Sequence, residues 1–398
     1  MLDGVTRDDT VHGFRTATAT RWVALPFNLE EFLHGWQTVV HAMVRSKPEG
    51  FSRDEWAYVM AFLDQTSLMA PFQQNFGELS HTASEPSSVF CPRGTVAVWL
   101  PSNVSLLGPL MTVLIGLSGN AALLKGPSEG TDLTAEFLRF VGEHAPNGPV
   151  REFVDRRVRV ASFSRDDTRN AEYAARADVR CVFGTNQAAE AVDRLSHPIH
   201  SIGFHFTDRV SEAWIEAGAV SEEVVDALIK VFGIFGRAGC TSPRRVVVVD
   251  GTNRNAAELS ERLVERWPAV IPERPSQHIA SSNVMARQLA SALGWRVAVC
   301  GEQAAVIAVG GPELDIPEAP MILPIIHASV KTAVAGLPEN IQTVGHRLLD
   351  IDVSSLTRSL LGTGVKRIVP LTQMHNFGPV WDGYGFWRQF FEEIQVAS

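Results

Sequence analysis

Cys240 lies in Phe235-Gly-Arg-Ala-Gly-Cys-Thr-Ser-Pro-Arg244, between a helix-like run and an apolar strand-like run. Two glycines beside a cysteine let the backbone turn tightly and leave the sulfur accessible. Arg237, Arg244 and Arg245 add positive charge nearby, which favours the reactive thiolate. From this stretch alone, a small cysteine that merely packs has an equal claim. Cys91, Cys181 and Cys300 sit in strand-like or strand-edge surroundings, where packing prevails. A second group of residues is Trp99-Leu-Pro-Ser-Asn103, followed by Gly119-Asn120-Ala-Ala-Leu-Leu-Lys125-Gly-Pro-Ser128-Glu129. A strand that runs through a polar turn into a helix can set the Asn103 amide beside a reacting carbonyl, where an N–H stabilises a developing oxyanion. Lys125 ends a strand, where a cofactor ribose or phosphate lies in α/β folds. A third is the strand-to-helix turn Phe183-Gly184-Thr185-Asn186, whose helix N-terminus offers free N–H groups to phosphate. Taken singly, a turn asparagine, a surface lysine and an ordinary α/β turn explain these residues at least as well. No Gly-x-Gly-x-x-Gly fingerprint is present.

The elements that must position these residues follow from periodicity. Phe27–Val44, opening at the capping residue Asn28, and Ser52–Met69 have helical spacing. Residues 84–88 form a loop. From Gly94 onward strands and helices alternate: strands at Thr95–Leu100, Ala121–Leu124, Arg157–Ala161 and Val179–Phe183, with helices at Ser105–Leu117, Thr131–Glu143, Asn170–Arg176 and Gln187–Leu195. Such alternation predicts a parallel sheet covered on both faces, with ligands beyond the carboxyl ends of the strands. A second α/β stretch runs from the helix Glu222–Phe232 through strands at Arg245–Val249 and Ala304–Val309, with Pro312–Pro324 expected as a loop.

The chain has 398 residues, 45% hydrophobic and 20% charged, with net charge −9. That length suggests two or three domains, and the acidic balance argues against nucleic acid as the main partner. The polar, acidic start lacks the features of a secretory signal. The most apolar run, Val104–Leu124, is interrupted by glycines and a proline and fits a buried element better than a membrane span. Four cysteines without Cys-x-x-Cys spacing suggest free thiols in a reducing cytoplasm and no metal site.

In order and spacing, Asn103, the Gly119-Asn120…Lys125…Pro127-Ser128-Glu129 segment, Gly184-Thr185 and Cys240 resemble the aldehyde dehydrogenase superfamily, with Gly126 inserted before the family's proline. Within it the sequence looks most like the LuxC-type acyl reductases. The residues that carry this are Gly-Arg-Ala-Gly-Cys240-Thr-Ser-Pro, Glu339-Asn-Ile-Gln342-Thr-Val-Gly345, Gly364-Val-Lys-Arg-Ile-Val369 and Trp381-Asp-Gly-Tyr384. The resemblance runs from about residue 90 to about 390.

The resemblance implies an α/β, aldehyde-dehydrogenase-like fold: two open parallel-sheet domains with an N-terminal helical segment and a short C-terminal tail. The divisions expected are 1–205 for the helices and the NAD(P)-binding domain, 206–370 for the catalytic domain, and 371–398 for a return or oligomerisation tail. Cys240 would form an acyl thioester and Asn103 would lie in the oxyanion hole. Lys125 and Ser128 would face the adenosine ribose, and Gly184 and Thr185 the pyrophosphate. Glu339, with Asn340 as the alternative and Gln342 as a further candidate, would take the nicotinamide ribose. Hydrolytic members carry a general-base glutamate four residues before a lysine; counting back from Arg209 gives His205, which is not a carboxylate. That loss favours reduction of the acyl group over aldehyde oxidation, and His205 is either a proton shuttle for Cys240 or a hydrogen-bonded strand residue. The expected activity is reduction of an acyl thioester, on CoA, a carrier protein or an acyl-activating synthetase, by NADPH or else NADH, in a cytoplasmic homo-oligomer. The alternatives are an oxidative aldehyde dehydrogenase and a non-catalytic acyl-transfer or scaffold subunit. The Trp381–Tyr384 turn is expected to pack rather than react, and Phe377-Gly-Pro is read as a chance match.

Overall fold

The structure, a computed structural model, describes residues 23–24, 28–76, 88–130, 132–316 and 318–396. The polar start and the loop expected at 84–87 lie outside them. Among the described residues no helix is long and apolar enough to cross a membrane.

Among the described residues three helices follow the short strand Val23–Ala24. Asn28 caps Leu29–Met43 by accepting the Glu31 N–H at 3.2 Å. Ser52 and Glu55 form a reciprocal cap on Arg53–Phe62. The single helix expected over Ser52–Met69 is two, because the Asp64 carboxylate takes the N–H groups of Thr66 and Ser67 and starts Gln65–Phe76.

The first sheet has five parallel strands in the order Val158–Ser162, Ala121–Gly126, Thr95–Trp99, Val179–Gly184, Ile202–Thr207. In register, Trp99 pairs with Lys125 and with Val182, and Gly184 pairs with Thr207. This alignment places Asn103, Lys125 and Gly184 along one carboxyl edge, although 81 residues of chain separate the first from the last. The helix Leu107–Leu117, wedged between the sheet and the opening helices, has nine buried residues. That explains the predominance of apolar residues in its sequence.

The second sheet has seven strands in the order Arg296–Cys300, Ala305–Gly310, Ile322–Ala328, Pro243–Val249, Val210–Glu216, Ile341–Arg347, Arg367–Pro370. All neighbours are parallel except the first pair. Part of the stretch expected as a Pro-rich loop is the buried strand Ile322–Ala328. Pro324, lacking an N–H, is tolerated there because it pairs only with Ala308, and pairing with Pro243–Val249 begins at Ile325. The strand Ile202–Thr207 lies wholly in the first sheet and Val210 begins the second, so the crossing falls at Asp208–Arg209 and not at 205/206. The tail returns across the molecule: Phe391–Gln395 pairs antiparallel with Ser88–Pro92, which pairs with Val23–Ala24.

Candidate active site at Cys240

A cavity of about 760 Å³ lies between the two sheets. The carboxyl edge of the first contributes Asn103, Lys125 and Gly184, and the loop ahead of Pro243 contributes Cys240. That loop is shaped by Gly236. Its φ is +54°, and a Cβ there would meet the Pro320 carbonyl oxygen at 2.4 Å, so only glycine fits. The Arg237 N–H donates to that same carbonyl at 2.8 Å. Ser211 Oγ, on the neighbouring strand, donates to the Cys240 carbonyl at 2.6 Å and pins the loop to the sheet.

Asn103 and Cys240 approach from opposite sheets. Asn103 Nδ2 donates to the Ala238 carbonyl at 3.0 Å, so its amide spans the gap two residues from the cysteine. The Cys240 side chain lines the cavity in largely enclosed surroundings. Burial, and secondarily the charge of Asp382, push its thiol up to about 12. The Gln342 amide, 3.9 Å from Sγ, and Arg367 act in the other direction. In the free protein the thiol is therefore protonated at neutral pH.

Gln342 is fully buried and donates both toward Sγ and to Asp382 Oδ1. It sits beneath the cysteine and is not among the residues that line the cavity. Glu339 is exposed in a turn and does not line the cavity. Asn340 instead donates to the Asp208 carbonyl and braces the crossing between sheets. His205 does not meet Cys240 either. Its Nε2 is 3.0 Å from Asp193, which also pairs with Arg180. Strand alternation accounts for this, because Phe206 faces the cavity and its neighbour His205 must face the other way. Counting from Arg209 reaches the right strand but the wrong parity.

Lys125 and Ser128 do come together: Lys125 Nζ donates to Ser128 Oγ at 3.3 Å, and Ser128 Oγ donates to the Phe163 carbonyl at 3.0 Å. Burial, then the neighbouring Arg165, lowers the Lys125 pKa. Glu129 lines the same rim. Gly184 has φ +139°, and a Cβ there would meet nothing within 4 Å, which leaves open space over the strand end. Thr185 caps the helix Asn186–Asp193, and the Asp208 carboxylate accepts the Asn186 N–H at 2.9 Å.

Three residues that line the cavity were not singled out by sequence, Tyr58, Phe206 and His375, and Asp382 lies behind Gln342. Phe377, read as a chance match, also lines the cavity. His375 Nε2 donates to the Val231 carbonyl at 2.7 Å, so its Nδ1 accepts from Thr241 Oγ at 2.7 Å. Burial lowers its pKa to about 4 and keeps the ring neutral. Asp382, in the turn expected only to pack, has a buried carboxylate and a backbone φ of +48°. The signal available for it was a non-glycine residue in a tight aromatic turn, which is a weak one.

The family model of acyl-CoA reductase (LuxC) matches residues 42–389. The chain belongs to this family. It is accordingly an oxidoreductase with an aldehyde-dehydrogenase-like fold. A mutant form of Thermus thermophilus 1-pyrroline-5-carboxylate dehydrogenase is similar in structure, with TM-score 0.62 and 14% identity over 93% of this chain and 82% of that one. Aldehyde dehydrogenase C of Pseudomonas syringae, solved as a mutant in complex with NAD+ and octanal, gives TM-score 0.63 and 13% identity over 93% and 85%. No curated protein sequence matches the chain significantly.

Proposed function

We propose that this acyl-CoA reductase family member reduces an acyl thioester to an aldehyde with Cys240 as the acyl carrier. The observation that carries this reading is that Asn103 bonds the Ala238 carbonyl, two residues from Cys240, and that Asn103 and Cys240 line one cavity between the two sheets. The Cys240 sulfur attacks the thioester carbonyl. Asn103, using the N–H that Ala238 does not take, holds the oxyanion as the CoA or carrier-protein thiol departs. Phe206 fills the strand position that faces the cavity, so no carboxylate there activates water against the acyl-Cys240 bond. Collapse of the thiohemiacetal then releases aldehyde and restores the thiol.

The residues present fit a nicotinamide dinucleotide. Gly184 leaves room over a strand end, Thr185 starts a helix, and Lys125 and Ser128 face the rim. Such a cofactor, when bound, supplies hydride to the acyl-Cys240 carbonyl. Lys125 and Arg165 favour the 2′-phosphate of NADPH; Glu129 on the same rim opposes it, so the two cations must outweigh one carboxylate. The reading places the enzyme in the cytoplasm as a homo-oligomer, with a CoA thioester, an acyl carrier protein or an acyl-activating synthetase as donor.

Two assays test the direction. Enzyme with octanoyl-CoA and NADPH should give octanal. Enzyme with octanal and NADP+, without CoA, should give almost no octanoate. Robust octanoate formation in the second assay overturns the reductase reading.

A further inference from the structure

The Cys240 proton needs a destination before sulfur can attack a carbonyl. Burial and the charge of Asp382 hold the thiol up at about 12, so bulk water at neutral pH removes it from only a minute fraction of molecules. Among the described residues, the groups that act on the sulfur are Gln342, Asp382, Arg367 and Tyr58, with His375 behind Thr241. An amide and a guanidinium accept no proton, and burial raises the Tyr58 phenol further, so it stays protonated. Both His375 nitrogens are engaged, Nε2–H on the Val231 carbonyl and Nδ1 on the Thr241 hydroxyl. Asp382 is left.

The carboxylate is built in rather than incidental. Its side chain is 1% exposed. Its Oδ1 accepts from the same Gln342 amide that touches the sulfur, so thiol and carboxylate share one neighbour. Its Oδ2 has no hydrogen-bond partner among the described residues, and Arg209 Nε stands 3.8 Å away, also without one. A buried carboxylate oxygen with no donor is uncommon. The backbone at Asp382 holds a left-handed φ that aspartate adopts seldom outside tight turns. The charges acting on it are Arg209, Arg367 and Lys366, and its own charge acts on the Cys240 thiol.

We propose that Asp382 is the base that takes the Cys240 proton and later returns it to the departing thiol, a role that rests on Cys240 being the acyl carrier. The S–H bond breaks and an O–H bond forms on Oδ2 through one bridging water, since the two groups make no direct hydrogen bond. The freed sulfur pair bonds to the thioester carbonyl carbon. On collapse the carbon–sulfur bond to CoA breaks, and the CoA thiolate takes the proton from Asp382. The products of this half-reaction are acyl-Cys240, CoA thiol and a regenerated carboxylate. No electrons are gained or lost, so no further reactant is needed. Burial raises the Asp382 carboxyl above its ordinary range, against the opposing effect of Gln342 and the three cations, and this narrows the gap the proton must cross.

Rapid-quench intact-mass measurement of acylation by octanoyl-CoA, without cofactor, across pH 7 to 9, tests the proposal. Wild type should acylate at a rate nearly independent of pH, because the proton leaves to an internal base. Asp382→Asn should acylate about 100-fold more slowly at pH 7 or worse, with a rate rising about tenfold per pH unit as hydroxide takes over. Asp382→Glu, which keeps a carboxylate, should restore the flat profile. D382N acylating as fast as wild type or faster would overturn the proposal, since a carboxylate that only repels the thiolate gives that result. Should D382N fail to fold, the wild-type profile decides alone, and a tenfold rise per pH unit overturns the base. A wild type that takes no acyl group overturns the carrier reading and the base together, whereas equal acylation of wild type and D382N overturns only the base.

Discussion

The Asn103 amide offers two N–H groups, and the Ala238 carbonyl takes one. The second is what an oxyanion above Cys240 would use. Asn103→Ala should therefore slow acylation of Cys240 by roughly 100- to 1000-fold, the usual cost of one oxyanion donor, while thermal stability changes little because Asn103 is exposed. Stopped-flow release of CoA thiol checks this. At this scale, sequence order was informative about which of Cys240, Asn103, Lys125, Ser128, Gly184 and Thr185 share a cavity, because each sits near a strand end where register fixes its neighbours. It misled for the expected meeting of His205 with Cys240, and it did not reveal where Gln342 sits. One residue of parity on Ile202–Thr207 exchanges the cavity for Asp193, and the inward alternation of Ile341–Arg347 puts Gln342 beneath the sulfur. Asp382 was out of reach, since its partners lie 40 and 173 residues away in the chain.

His375 joins two elements, the end of the helix Glu222–Gly233 through Val231 and the loop after Cys240 through Thr241. Its folded-state pKa of about 4 lies below the ordinary 6.5. The unfolded chain therefore binds more protons between these values, and stability must fall as pH drops through that window. The expected loss from this residue is about 3 kcal/mol between pH 7 and pH 4. His375→Gln should remove that part of the acid sensitivity, seen as a smaller pH dependence of urea midpoints than in wild type. An unchanged pH dependence would contradict the buried, neutral imidazole. Periodicity located most helices and strands. It missed the strands Ile202–Thr207, Val210–Glu216 and Ile341–Arg347, whose short runs mix polar residues such as Ser211, Glu212 and Gln342 among the apolar ones. Those polar groups are buried but paired, Glu212 with Arg245 at 2.6 Å, and local hydropathy does not reveal pairing.

At the scale of the molecule, the tail holds the parts together. Trp387 is fully buried, donates Nε1–H to the Leu114 carbonyl at 3.0 Å and meets Phe72 edge-on at 4.4 Å. It thereby ties the return segment to the helix Leu107–Leu117 and the opening helices. Trp387→Ala should cost about 3–5 kcal/mol in urea unfolding. Because Asp382 and Phe386 belong to the same return segment, activity should fall more steeply with temperature in this variant than in wild type. Strand–helix alternation made a parallel sheet and a second α/β stretch legible, and the resemblance supplied the two-sheet plan. A return tail was expected from the resemblance, but the strand order and the pairing of Phe391–Gln395 with Ser88–Pro92 were not legible, because pairing across some 300 residues leaves no local pattern.

Intact-mass spectrometry of the protein after incubation with octanoyl-CoA, with no cofactor added, tests the role of Cys240 most directly. One octanoyl group should appear per chain, map to the Cys240 peptide, be absent from Cys240→Ala, and leave as octanal when NADPH is supplied. An adduct elsewhere, or a Cys240→Ala protein that still takes up the acyl group and still forms aldehyde, would contradict it.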